Sequence, residues 1–277
     1  MASRYSSIRI LLGLALILLL AAGNLPAIDV WDQGAPNDDL PANTRNVLIP
    51  GDPPQRHDVE AKAGPTADQD WYRLVVVGGH SYEVRVTGRQ EDCFDFVGAN
   101  FRVLDADATT ERTTGVDYPG TSITRSSTRA TFVAPTNEVA FVQLVGDSSC
   151  NATSEYTIQL FDTAILNPGW STGGGFNTFY SLQNTTNFAL SMTITLFNGA
   201  GTQVASVQFT GPTAVQPGQL VATNTQALGV AVGQFGTARI THTGPPEGIL
   251  CDAAIANFGT SPAAIIPSKC QRALKGD

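Results

Sequence analysis

Residues 169–173 read Gly-Trp-Ser-Thr-Gly, a literal G-x-S-x-G. In a nucleophile elbow that pattern holds a serine on a sharp strand-to-helix turn, poised to attack an acyl carbon. The chemistry needs a helix after the serine, whose N-terminus helps hold the oxyanion, and a histidine that follows the acid in the chain. Here Ser171 is followed by Thr172, three glycines and then Phe-Asn-Thr-Phe-Tyr, which reads as a strand. Each glycine costs about 1 kcal/mol relative to alanine inside a helix. The sole histidine of this half, His242, precedes both acids near it, Glu247 and Asp252. Convergent triads occur in other orders, so a hydrolase built on Ser171 stays as a third class of function. The favoured reading makes Ser171 a turn residue, leaves the catalytic set empty and predicts no enzyme.

The other residues that could do chemistry are scattered. His57 lies among proline and charged residues, and His80 follows a Gly-Gly pair. Neither belongs to a Cys-x-x-Cys or His-Glu-x-x-His spacing, so no transition-metal site is expected. Trp71 and Trp170 could stack on sugar faces and form a ligand platform, although a tryptophan in a strand also serves as core or rim.

The elements that would carry these residues come after an export signal. Arg4 and Arg9 precede an apolar run over residues 10–22, and Ala21 and Gly23 suit a cleavage site after residue 23. The run has 13 residues, short of the ~20 of a spanning helix, so residues 1–23 are expected to be a signal peptide, with a retained anchor as the alternative. No second run of spanning length follows. Secreted or outer-envelope, extracytoplasmic localisation makes disulfides the natural state of the four cysteines, which allow three connectivities. Cys93–Cys150 with Cys251–Cys270 is the simplest choice if the two halves are separate domains.

Only 14% of residues are charged, while glycine and proline number 27 and 16. Low charge with many β-branched and turn residues favours extracellular β structure. Past residue 23 there are 14 bases against 24 acids, net −10, and the acids crowd the first half. Residues 24–163 hold 21 acids and 10 bases, whereas residues 164–277 hold 3 and 4. That shift marks a domain boundary near residue 163. Neither half has a basic patch, so nucleic acid is not an expected partner.

Residues 24–45 are rich in Pro, Asn and Asp and read as an extended leader. Beyond them Tyr72, Leu74 and Val76 alternate with Trp71, Arg73 and Val75, and Tyr82, Val84 and Val86 share a face after Gly78-Gly79. Two alternating runs joined by Gly-Gly predict an antiparallel hairpin. FRVL, RATFV, VAFVQLV and EYTIQL continue the pattern, giving an all-β sandwich of about eight strands over residues 46–163. Over residues 164–270, Leu190, Met192, Ile194 and Leu196 face one way, VASVQF, GTARITH and ILCDAAIANF add strands, and Asn224 is expected to cap one helical turn. The fold class is all-β, two consecutive antiparallel β-sandwich domains, with a polar tail over residues 271–277.

Asp68-Gln69-Asp70-Trp71-Tyr72-Arg73-Leu74, then Gly78-Gly79 and Tyr82-Glu83-Val84, resembles the bacterial pre-peptidase C-terminal domain. Asp95-Phe96 with Phe101-Arg102-Val103-Leu104-Asp105, and the late Tyr156-Thr157-Ile158, extend the resemblance over residues 46–163. It implies a small jelly-roll-like module appended to secreted proteins, with roles in secretion, surface contact or substrate binding. Because some members of that family bind calcium, Asp68, Asp70, Asp105 and Asp107 become calcium candidates. Calcium requires 6–8 oxygens; no EF-hand loop supplies them, and solvation of an acidic surface explains the same carboxylates, so no cofactor is assigned. In the second half, Trp170-Ser171-Thr172-Gly173-Gly174-Gly175-Phe176-Asn177-Thr178 with Leu182-Gln183-Asn184-Thr185-Thr186 resembles an Ig-like module of secreted bacterial proteins, which implies no enzymatic activity.

The expected function is therefore a non-catalytic secreted or envelope-associated bacterial protein acting in adhesion, with an extracellular protein or glycan as partner. The alternative is an auxiliary protein that binds carbohydrate or protein substrates beside secreted hydrolases. Sequons at Asn151 and Asn184 matter only in a host that glycosylates them.

Overall fold

The computed structural model describes residues 40–59, 69–88, 97–118, 127–146 and 154–273. The signal segment, Cys93, Cys150, Asp68 and the Asn151 sequon lie outside the described residues. Among those described, every regular element is a strand apart from two short 3-10 turns, so the chain is all-β and sandwich-like.

Nine strands surround the first apolar core: β1 (Val47–Leu48), β2 (Gln55–Val59), β3 (Gln69–Val76), β4 (Ser81–Gly88), β5 (Gly98–Leu104), β6 (Glu111–Asp117), β7 (Ser127–Val133), β8 (Glu138–Val145) and β9 (Ser154–Asp162). They run in the order β1-β3-β8-β5-β6-β7-β4-β9-β2. All pairs are antiparallel except β1 with β3. The continuous sheet folds on itself where β6 meets β7 through only two register pairs. Tyr72, Leu74 and Val76, with Phe101, Val103, Val142 and Leu144, face Tyr82, Val84, Val86, Phe132, Tyr156, Ile158 and Leu160 across one core. Each such buried side chain contributes about 1.5–3 kcal/mol.

The Gly78-Gly79 expectation needs correcting. β3 pairs with β1 and β8, and β4 pairs with β7 and β9, so the two strands do not form a hairpin. The turn instead carries the chain from one layer to the other. Gly79 takes φ +78°, and a Cβ at Gly78 would meet the Thr136 backbone carbonyl carbon at 2.9 Å. The close approach to the β7–β8 turn, sealed by Gly78 N–H donating to Asn137 Oδ1 at 2.7 Å, demands glycine at 78, and the positive φ favours it at 79.

The second core takes β10 (Ile165–Ser171), β11 (Asn177–Asn184), β12 (Met192–Asn198), β13 (Gln203–Phe209), β14 (Leu220–Asn224), β15 (Phe235–His242), β16 (Ile249–Asn257), β17 (Ala264–Pro267) and β18 (Gln271–Arg272). One sheet runs β13-β12-β15-β10-β18 and the other β14-β11-β16-β17. Leu190, Met192, Ile194 and Leu196 lie between them with Trp170, Tyr180, Leu182 and Ile240. Asn224 caps one turn as its sequence position suggests, its Oδ1 accepting Ala227 N–H at 2.8 Å and its carbonyl accepting Leu228 N–H at 3.0 Å. A disulfide joins Cys251 of β16 to Cys270, just before β18.

The two cores meet along a seam of arginines and rings. Glu83 of β4 is fully buried, 2.5 Å from Arg85 and 3.6 Å from Arg129. Burial raises its carboxyl above the ordinary glutamate value, against the pull of Arg85 and Arg129. Arg129 of β7 donates to the Thr243 carbonyl of the second core at 2.9 Å and lies over the rings of Phe188 and Tyr118. Arg239 of β15 reaches back to the Gly78 carbonyl at 3.1 Å.

Candidate binding face

Ser171 ends β10, and a 3-10 turn over Gly173–Gly175 leads directly into β11. The segment crosses from one sheet to the other, because β10 and β11 belong to different layers. Ser171 Oγ accepts the Gly173 N–H at 3.1 Å, while Thr172 Oγ1 donates to the Ala231 carbonyl at 2.7 Å. The motif builds a sheet-crossing turn. His242 does not come near it. Ser171 is register-paired with Phe235, and His242 lies seven positions further along β15, about 23 Å at the rise of a strand. His242 is buried and its Nδ1 accepts Gly244 N–H at 3.1 Å. Burial, reinforced by Arg272 and Arg129, pulls its imidazole down to about 4. Asp252 is register-paired with Ser181 on another sheet. The structure thus brings none of Ser171, His242 and Asp252 together.

The described calcium candidates are likewise dispersed. Asp70 is buried and accepts the Tyr156 hydroxyl, which also meets Tyr72 Oη at 2.5 Å. Asp105 is held by Arg112. Asp107 accepts the N–H groups of Thr109 and Thr110, both at 2.8 Å, and the Thr110 hydroxyl, and these bonds hold its carboxyl far below the ordinary range. Asp70 and Phe101 flank Leu144 from opposite sides, so Asp105, four residues beyond Phe101, lies about 13 Å further along the sheet. Each carboxylate serves the local fold, and among the described residues no three metal-type ligands cluster.

The tryptophan platform also gives way. Trp170 is 1% exposed and donates its indole N–H to the Thr237 carbonyl at 2.8 Å, which fixes it in the second core. Trp71 is 5% exposed and meets Phe141 edge-on. Neither ring offers an open face to a sugar. Asn184 is fully buried, its amide donating to the Phe188 and Val215 carbonyls at 2.7 and 2.9 Å, so the sequon has no open acceptor in the folded chain.

What the fold does open is the outer face of the β14-β11-β16-β17 sheet. Register places Ser181 between Ala222 and Asp252, Phe179 between Asn224 and Ala254, and Gln183 between Leu220 and Leu250. The small residues Ser181, Ala222 and Ala254 leave a hollow of about 370 Å³, lined also by Phe179, Asn224 and Asp252. Leu220, Leu250, Phe258 and Ile265 stand exposed beside or beyond it. Phe258, 66% exposed, packs edge-on against Phe179 with ring centres 5.6 Å apart. Apolar side chains on an outward face are the informative exception to ordinary burial. The trace in the sequence was the absence of alternation in β11 and β16: Phe179 beside Tyr180, and Leu250 beside Ile249.

No protein-family model matches the chain, and no curated protein matches it. Among solved structures, the full extracellular region of zebrafish Gpr126/Adgrg6 aligns at 11% identity with a TM-score of 0.22, over 82% of this chain and 31% of that one. The chain thus spans about a third of that region's length, and a likeness this loose assigns neither fold nor function.

Proposed function

We propose that this chain is a non-catalytic extracytoplasmic binding protein, secreted or held at a bacterial envelope, which acts in adhesion through the outer face of the β14-β11-β16-β17 sheet. The observation that carries this reading is the hollow over Ser181, Ala222 and Ala254, rimmed by Phe179, Leu220 and Leu250. Contacts here bury apolar surface at about 25 cal/mol per Å², while Asn224 and Asp252 supply the few polar groups that fix orientation in such sites. A structural disulfide and the export signal support location outside the cytoplasm, as does the resemblance of residues 46–163 to modules of secreted proteins.

The same face supports the second reading, an auxiliary carbohydrate binder. Phe179 and Phe258 offer ring surface beside Asn224 and Asp252, the mixture of stacking and hydrogen bonding that a sugar takes. A glycan and secreted-protein array probed with the mature, disulfide-intact chain tests both readings. Binding to a protein that disappears on filling the hollow by Ala222→Arg supports adhesion, and binding to a glycan that disappears in Phe179→Ala supports the second reading. No retained ligand of either kind would remove both.

A further inference from the structure

Six strands lie at sheet edges among the described residues: β1, β2, β13, β18, β14 and β17. Native edges are kept from pairing by shortness, charge or proline. β1 and β18 have two residues each, β2 carries Arg56 and Asp58, and β17 has four residues and ends at Pro267. β14 has five residues and follows Pro217-Gly218. β13 has neither shortness, charge nor proline, and its one irregularity, where Leu196 and Phe197 pair with Ala205 and Gln203, lies at its start. The strand runs for seven residues, Gln203-Val-Ala-Ser-Val-Gln-Phe209. No Asp, Glu, Lys, Arg or His occurs anywhere between Asp162 and Arg239.

The core is also open at this edge. Ala205, Val207 and Phe209 sit opposite Leu196, Ile194 and Met192, which are completely buried. The β13 side chains themselves are only half-buried where they pack on that core. A further strand would cover them and take up the unpaired backbone groups together.

We propose that β13 is a self-association edge, occupied by β13 of a second copy of this chain in antiparallel, two-fold pairing. The strand is self-complementary. A two-fold axis at Ser206 places Ser206 opposite Ser206 on the outer face, and Val207 of one copy opposite Ala205 of the other on the inner face. At the centre of the pair apolar residues thereby meet apolar ones, Val204 and Phe209 meet Gln208 and Gln203 at its ends, and the sheet continues across the pair, the isologous contact that closed dimers use. Charge permits the same occupant. The acidic excess lies in residues 24–163, whereas residues 164–277 hold 3 acids and 4 bases, so two copies repel through their first cores and approach without that cost through the second, where β13 is a long uncharged edge. This inference is independent of the hollow on the other sheet.

Sedimentation velocity of the mature, disulfide-intact chain over a range of concentrations tests it. The parent is expected to dimerise reversibly. Ser206→Lys, at an exposed position, puts like charges opposite each other and should raise the dimer dissociation constant about tenfold or more, while Ser206→Thr should not. An equimolar mixture of Ser206→Lys and Ser206→Glu should recover the dimer as a heterodimer. Amide exchange in β13 of the parent should slow as concentration rises, a readout that needs no variant. A parent that stays monomeric overturns the proposal, even if β13 accepts a strand of another protein. A dimer unaffected by Ser206→Lys, or a mixture no better than either variant alone, overturns it as well.

Discussion

The Arg129 guanidinium sits 4.4 Å from the centre of the Phe188 ring, joining a strand of the first core to a loop of the second. It also supplies a partner for buried Glu83 and a donor for the Thr243 carbonyl. Arg129→Ala removes all three at once and leaves Glu83 with Arg85 alone. We expect a loss of about 3 kcal/mol in urea unfolding, the usual cost of breaking a buried pair from one side. Arg129→Lys should recover less than half of it, because an ammonium neither forks between acceptors nor stacks flat on a ring. A loss below about 1 kcal/mol, the scale of an exposed pair, would show the seam to be decorative.

Acid should weaken the fold through His242. Its imidazole ionises at about 4 in the folded chain, pulled down by burial and by Arg272 and Arg129, against about 6.5 when unfolded. Between those values the unfolded chain binds more protons, so stability falls as pH drops from 6.5 towards 4, by about 3 kcal/mol. Glu83 acts in the opposite sense: its folded carboxyl is raised, so its contribution is greatest in acid and declines as pH rises. His242→Asn retains an acceptor for the Gly244 N–H without titrating, and should flatten the acid limb of a stability–pH profile. An unchanged limb in that variant would assign the effect elsewhere.

The Cys251–Cys270 bond closes a segment with a sequence separation of 19. Chain-entropy reasoning gives about 3 kcal/mol for a loop of that size. Replacing both cysteines by alanine should lower the urea midpoint accordingly, and steepen the transition slightly because the unfolded chain, freed of the cross-link, exposes more surface.

Ser171→Ala should cost no more than about 1 kcal/mol, the worth of one turn hydrogen bond to Gly173. A fluorophosphonate probe should leave the parent unlabelled. Stoichiometric labelling lost in the alanine variant would restore the hydrolase reading.

Alternation in the sequence revealed which residues face inward. Leu190, Met192, Ile194 and Leu196 form one buried face, and so do the alternate residues of β3 and β4. It did not reveal partners, since a strand's periodicity is the same whichever neighbour it pairs with. Gly78-Gly79 fits a hairpin and an inter-layer arch equally well, and the contact with Thr136 that decides between them comes from almost 60 residues away. The fate of Trp170 was hidden similarly, because its indole donor finds Thr237 on a strand remote in sequence. The hollow had no chemical marker at all. Ser181, Ala222 and Ala254 matter there by being small, and only register brings three strands' small residues side by side.

The most direct test measures the affinity of one array-identified ligand for three proteins: the parent, Ala222→Arg in the hollow, and Thr193→Arg on the other sheet of the same sandwich. Binding through the β14-β11-β16-β17 face predicts that Ala222→Arg weakens affinity by about a hundredfold, roughly 3 kcal/mol, while Thr193→Arg matches the parent. Equal affinities for the parent and Ala222→Arg, with both variants folded, would contradict the assignment of this face.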